Sequence, residues 1–141
     1  MFCSLRAGLF ITFAALTFYI QPQPTLAQQM EVVAAGEIEF QTSCAVCHGA
    51  DARGQGIMTR YLTLQPTNLR HLAQASGGKF PFWEVYRIVE GRGIVPGHGS
   101  RDMPVWGDRF RAGGGGDPKS AQTQAAGRIL SVVFYLEHIQ E

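Results

Sequence analysis

Cys44-Ala45-Val46-Cys47-His48 constrains this chain more than any other stretch of it. There are three cysteines in 141 residues, and the third, Cys3, lies in an apolar N-terminal segment. Two thiols three positions apart do not make a disulfide-stapled scaffold. The fold must therefore stand on a hydrophobic core, and the paired thiols need another use. A redox-active pair belongs in a thioredoxin-like βαβ setting. A structural zinc site takes four ligands in two spaced pairs. The sequence offers one pair and no convincing strand alternation, so it provides neither setting.

The N-terminal segment reads as separate from the fold. Residues 1–6 end in the positive charge of Arg6, residues 7–20 are apolar or small, and Thr25-Leu26-Ala27 offers small residues where a signal peptidase reads. That is the order of a secretory signal. The apolar run is short for a bilayer core, which takes about 20 residues, and Pro22 and Pro24 stop a helix from continuing past it. The expected division is a signal peptide over 1–27 and one domain over 28–141, exported to the periplasm without a membrane anchor. Removing 1–27 takes Cys3 and Arg6 away, so a formal net charge of +1 becomes zero. A neutral domain has no basic excess to bring to nucleic acid.

Periodicity places helices on both sides of the motif. Val33, Gly36, Phe40 and Cys44 recur at steps of three and four, which predicts a helix over 29–42 with these residues on one face. A glycine at 36 costs about 1 kcal/mol in a helix interior unless another helix crosses there. A short helix fits 67–75, closed by Gly77-Gly78. Phe82, Val85, Tyr86 and Val89 form a second stripe over 82–89, with Gly91 as its stop signal. Residues 91–103 read as loop, because glycine and proline recur through them. The run Gly113-Gly114-Gly115-Gly116 reads as a surface linker without a phosphate-loop pattern. Asp117 as cap and Pro118 in the first turn open a last helix to about Ile139. Its inner face is expected at Ala126, Ile129, Val133 and Leu136 or Glu137, with Val132 and Tyr135 beside it. The class is all-α.

C-x-x-C-H is the pattern of covalent c-type haem attachment. Two thiols on one helical turn can each bond a vinyl-derived carbon of the porphyrin, and the next residue, His48, can then ligate the iron. A tether suits a small domain that cannot enclose haem fully. The other axial ligand must come from elsewhere. Met30 lies ahead of the motif and Met58 shortly after it. Met103 ends the glycine-rich loop just before Pro104 and is the expected ligand, in the His/Met pairing of cytochromes c. His98 is the runner-up. His71 and His138 read as surface or helix-end histidines.

In their order these features resemble the bacterial class I cytochromes c across most of 33–139. The matching residues are Gly36-x-x-x-Phe40-x-x-x-Cys44, the attachment motif with Gly49, Gly54 and Gly56 after it, and Pro66-Thr67-Asn68-Leu69. Met103-Pro104-Val105-Trp106-Gly107 and Val132-Val133-Phe134-Tyr135-Leu136 complete the set. The resemblance implies three to five helices wrapped around one haem c held by Cys44, Cys47, His48 and Met103. It also implies that the first and last helices cross, and that a backbone carbonyl near Pro66 accepts the His48 ring N–H. The four-glycine run departs from the pattern. So does the scarcity of lysine, with only Lys79 and Lys119, which leaves no lysine ring to identify a partner.

The function implied is electron transfer rather than catalysis: a monohaem carrier between exported redox partners, a dehydrogenase and/or a terminal oxidase or reductase. A haem-bearing subunit of a larger dehydrogenase or oxidase is the alternative. A haem enzyme or gas binder with a labile distal ligand is the third reading.

Overall fold

The structure, a computed structural model, describes residues 25–92 and 105–141. The apolar segment 1–24 and the stretch carrying His98 and Met103 lie outside the described residues. Among the described residues six α-helices follow in order: α1 (Leu26–Ser43), α2 (Ala45–His48), α3 (Leu72–Ala75), α4 (Phe82–Glu90), α5 (Trp106–Ala112) and α6 (Pro118–His138). Two 3-10 turns, Ile57–Tyr61 and Leu69–His71, join them. No strand occurs among the described residues, so the all-α class holds. Among the described residues α2 and α3 are single turns, and the four longer helices, α1, α4, α5 and α6, fall within the expected three to five. No helix among the described residues is long and apolar enough to cross a membrane.

α1 begins earlier than the apolar spacing suggests because Thr25 caps it. Thr25 Oγ1 accepts the Gln28 N–H at 3.3 Å, and Gln28 Oε1 accepts the Thr25 N–H at 2.8 Å. This reciprocal pair is a capping box. Leu26 and Ala27 therefore sit in the first helical turn. α6 starts where the sequence places it: Asp117 accepts from the N–H groups of Lys119 and Ser120 at 2.9 and 3.2 Å, and Pro118 occupies the first turn.

The core forms where α1 crosses α6. A Cβ on Gly36 would stand 2.9 Å from Tyr135 Cβ and closer still to the Ser131 carbonyl oxygen, so only glycine lets the two backbones meet. One turn on, Phe40 is wholly buried and its ring centroid lies 5.4 Å from that of Tyr135. Arg128 Nε and Nη2 donate to the two Glu39 carboxylate oxygens at 2.9 and 2.8 Å. The Arg128 guanidinium also lies 3.9 Å from the Phe110 ring centroid, which joins α5 to the same crossing.

The inner face of α6 differs in part from the expected stripe. Ala125, Ile129, Val132, Val133, Tyr135 and Leu136 are buried, whereas Ala126 is half-buried and Glu137 exposed. α6 packs on α1, α4 and α5 together, so its buried arc is wider than one stripe and shifted from it. α4 buries Val85 and Val89 as expected, and also Glu90, which no apolar pattern can reveal. Arg92 holds the Glu90 carboxylate with two hydrogen bonds of 2.7 and 2.5 Å. Gly91 ends α4 in the left-handed region at φ 95, with the Val105 side chain packed against it. The chain thus leaves α4 and re-enters α5 at adjoining points.

Candidate functional site

The motif folds as one tight turn at the end of α1. Cys44 N–H donates to Phe40 O at 2.8 Å, and the N–H groups of Cys47 and His48 donate back to Cys44 O at 3.1 and 2.9 Å. This spacing brings Cys44, Cys47 and His48 together on one short arc. Cys44 and His48 are buried, 8% and 7% exposed, and Cys47 is half-buried. Neither thiol is in a disulfide.

The segment after the motif folds back beneath it. Gly54 N–H donates to His48 O at 2.7 Å and Gly56 N–H to Cys47 O at 3.0 Å. A Cβ on Gly56 would lie 2.5 Å from that same oxygen. Gly54, at φ 81, packs against the Pro66 carbonyl, which brings the 66–69 segment alongside. Leu69 N–H donates to Ala52 O at 2.9 Å and fixes its register. The outcome is a contact of 3.4 Å between His48 Nδ1 and the carbonyl oxygen of Thr67, the residue after Pro66. A carbonyl can only accept, so it favours the imidazole with its proton on Nδ1 and its lone pair on Nε2.

Electrostatics set Cys44 apart from a reactive thiol. Burial, with smaller contributions from the charges of Glu39 and Cys47, pushes the Cys44 thiol up to about 12. Nucleophilic and metal-binding thiols act as thiolates, and their sites depress the pKa. Cys44 is instead kept neutral in an apolar wall. Among the described residues, no group of three or more His, Cys, Asp or Glu side chains is placed to hold a metal ion on its own.

An apolar cavity of about 100 Å³ opens beside the turn, and part of it is open to solvent. Phe40, Cys44, His48, Thr67, Leu69 and Leu72 line one part of it. Val85, Ile88 and Val89 of α4, with Val132 and Leu136 of α6, line the other. Ile88 is a wall residue that the α4 stripe did not include, although its spacing of three from Val85 is the usual signal.

The remaining candidates divide. Met30 and Met58 are 45% and 39% exposed, and neither lines the cavity. His71 Nε2 lies 3.5 Å from the Glu141 carboxylate, and His138 is exposed at the end of α6. Met103 and His98 lie outside the described residues.

Comparison with known proteins gives one partial match. The chain is 51% identical over 37 residues to the cbb3-type cytochrome c oxidase subunit CcoP of Rubrivivax gelatinosus. The match covers 26% of this chain and 12% of that protein, so the chain spans a small part of its relative's length. No protein-family model matches the chain, and no solved structure does.

Proposed function

We propose that the chain is a monohaem c-type cytochrome that carries single electrons. The observation that carries this reading is that the buried Cys44 and His48 of a C-x-x-C-H turn both line one apolar cavity. The donor set fits haem c: two unpaired thiols for thioether bonds and an imidazole for the iron. Bound there, haem supplies a one-electron Fe(III)/Fe(II) couple. Cys44 and Cys47 would tether the porphyrin, His48 would ligate the iron, and the Thr67 carbonyl would orient its ring. The aliphatic side chains of α4 and α6 would pack on the porphyrin and limit its contact with water, which would lower the reorganisation that accompanies a change of charge.

Met103 is the proposed second ligand. Supporting it, Met30 and Met58 lie off the cavity. Gly91 and Val105 meet at the base of the segment that contains Met103, and the α4 residues just before Gly91 are cavity wall. With His48 and Met103 both bound, the iron would have no open coordination site, which favours electron transfer over catalysis. We further propose export to the periplasm, with 1–27 removed.

The test is redox titration of the purified protein followed by its visible spectrum. A reversible one-electron transition between low-spin ferric and ferrous forms supports the reading. A five-coordinate spectrum that takes up carbon monoxide at once would favour the gas-binding alternative. A second reading is favoured by the relative's description: the chain serves as a haem-bearing component of an oxidase. Affinity isolation from native membranes separates the two, since a subunit brings oxidase polypeptides with it and a free carrier does not.

A further inference from the structure

The carbonyl that meets His48 belongs to a stretch with little regular structure of its own. Residues 66–68 are irregular, and the 3-10 turn and the single turn of α3 follow. On the motif side, this stretch is held by the Leu69 N–H donating to Ala52 O at 2.9 Å. On the other side it is held by the two residues that follow Ile139. Gln140 Nε2 donates to Leu69 O at 2.8 Å, and Gln140 Oε1 accepts the Ala73 N–H at 2.8 Å. Glu141 N–H donates to Arg70 O at 2.9 Å. The Glu141 carboxylate accepts from Arg70 Nε at 2.8 Å and from Arg53 Nη2 at 2.7 Å. Arg53 itself belongs to the turn that folds back beneath the motif.

We propose that Gln140, supported by Glu141, is a positioning residue for His48, acting through the Leu69 backbone on the Thr67 carbonyl. The inference rests on the haem reading. Its physical basis is leverage. At 3.4 Å the His48–Thr67 contact is at the long end of a hydrogen bond, where a small displacement makes or breaks it. Leu69 is two residues from Thr67, and its N–H and C=O are fixed from opposite sides by Ala52 and Gln140. A single amide side chain satisfies Leu69 O and Ala73 N–H together, so its loss frees both ends of the turn. An acceptor on the outer nitrogen of a ligating histidine raises the basicity of the ligand and stabilises the more oxidised metal. Loosening the clasp therefore raises the reduction potential.

The experiment compares the haem-loaded protein with Gln140→Ala and with Gln124→Ala. Gln124 serves as the matched control, because its amide donates to Gly115 O at 3.2 Å on the linker before α6. In Gln140→Ala, amide exchange at Ala73 should quicken by roughly 2- to 10-fold, the worth of one net hydrogen bond. The reduction potential should rise, and the His48 Nδ1 proton should exchange faster with solvent. Glu141→Gln, which keeps an acceptor oxygen, should shift the potential less. If Gln140→Ala does not fold, Gln140→Asn, whose amide cannot span both partners, is read in the same way. Faster exchange at Ala73 with an unmoved potential and an unmoved Nδ1 proton would overturn the proposal, as would an equal shift in Gln124→Ala. A parent protein without haem removes the haem reading itself. A haem-bearing parent with an insensitive Gln140 variant removes only the clasp.

Discussion

Gly36 of α1 lies directly on the backbone of Ser131 in α6, with no room for a side chain between them. The glycine that costs α1 helix propensity is thus what lets Phe40 and Glu39 reach Tyr135 and Arg128. Gly36→Ala should destabilise the fold by about 1–3 kcal/mol through overpacking. Gly127, in the same α6, has nothing within 4 Å of where its Cβ would be. Gly127→Ala should therefore stabilise by roughly 1 kcal/mol from propensity alone. Denaturant midpoints check both, and a stabilised Gly36→Ala would refute the close crossing.

Glu39 makes stability depend on acid. Burial favours its neutral form, but hydrogen bonds from Arg128 and Ser43 and the charge of Arg128 outweigh it. They hold the carboxyl below its ordinary value of 4.5. A depressed carboxylate pKa adds stability that is present above the unfolded value and is lost as pH falls through the folded one. At neutral pH, Glu39→Gln should cost about 1–3 kcal/mol, the range for hydrogen bonds to a charged group. That deficit should shrink as pH drops below about 4.5. Unfolding curves for the two proteins between neutral pH and pH ~3 give the comparison; a deficit independent of pH would count against the ion pair.

The turn below the motif predicts a coupling between packing and haem retention. Gly56→Ala places a methyl group 2.5 Å from the Cys47 carbonyl oxygen, so the turn or the motif must move. We expect a loss of about 1–3 kcal/mol and a lower yield of haem-loaded protein. Gly115→Ala, whose Cβ would meet nothing within 4 Å, should leave the yield unchanged. Equal yields for all three proteins would show that the turn does not position Cys47.

Much of this could be read from the residues, for physical reasons that differ by element. Helix ends were legible where local chemistry sets them, as at Asp117-Pro118 and Gly91. The crossing of α1 and α6 followed from the family resemblance, and Gly36 with Phe40 one turn on is where the two helices meet. The start of α1 was not, since its capping box uses Thr25 and Gln28, outside the apolar spacing. Residues 67–75 were expected as one helix but divide into a 3-10 turn and α3. Asn68 accepts the Arg70 N–H at 3.0 Å, which favours a turn over a continuous α-helix. Within the site, Cys44, Cys47 and His48 declared themselves by spacing. The clasp of Gln140 and Glu141 did not, because its partners lie 67 to 88 residues away in the chain.

For the distal ligand, Met103→Ala should abolish the weak sulfur-to-iron charge-transfer band of the ferric protein and lower the reduction potential, because thioether ligation raises it. Haem potentials span about 0.8 V with axial ligation as a main lever, so the shift should be large against error. Met58→Ala and Met30→Ala should leave the band in place. If the band survives in Met103→Ala and is lost in Met58→Ala, the assignment is wrong. If the parent lacks the band and His98→Ala turns it high-spin, the pair is bis-histidine.

The most direct test of the account is acid–acetone extraction of the parent beside the Cys44→Ala, Cys47→Ala double variant, both produced with export and haem maturation. The account predicts that the parent keeps its colour on the chain, with a mass raised by one haem, while the double variant gives up all colour. A parent that releases its haem, or carries none, would contradict it.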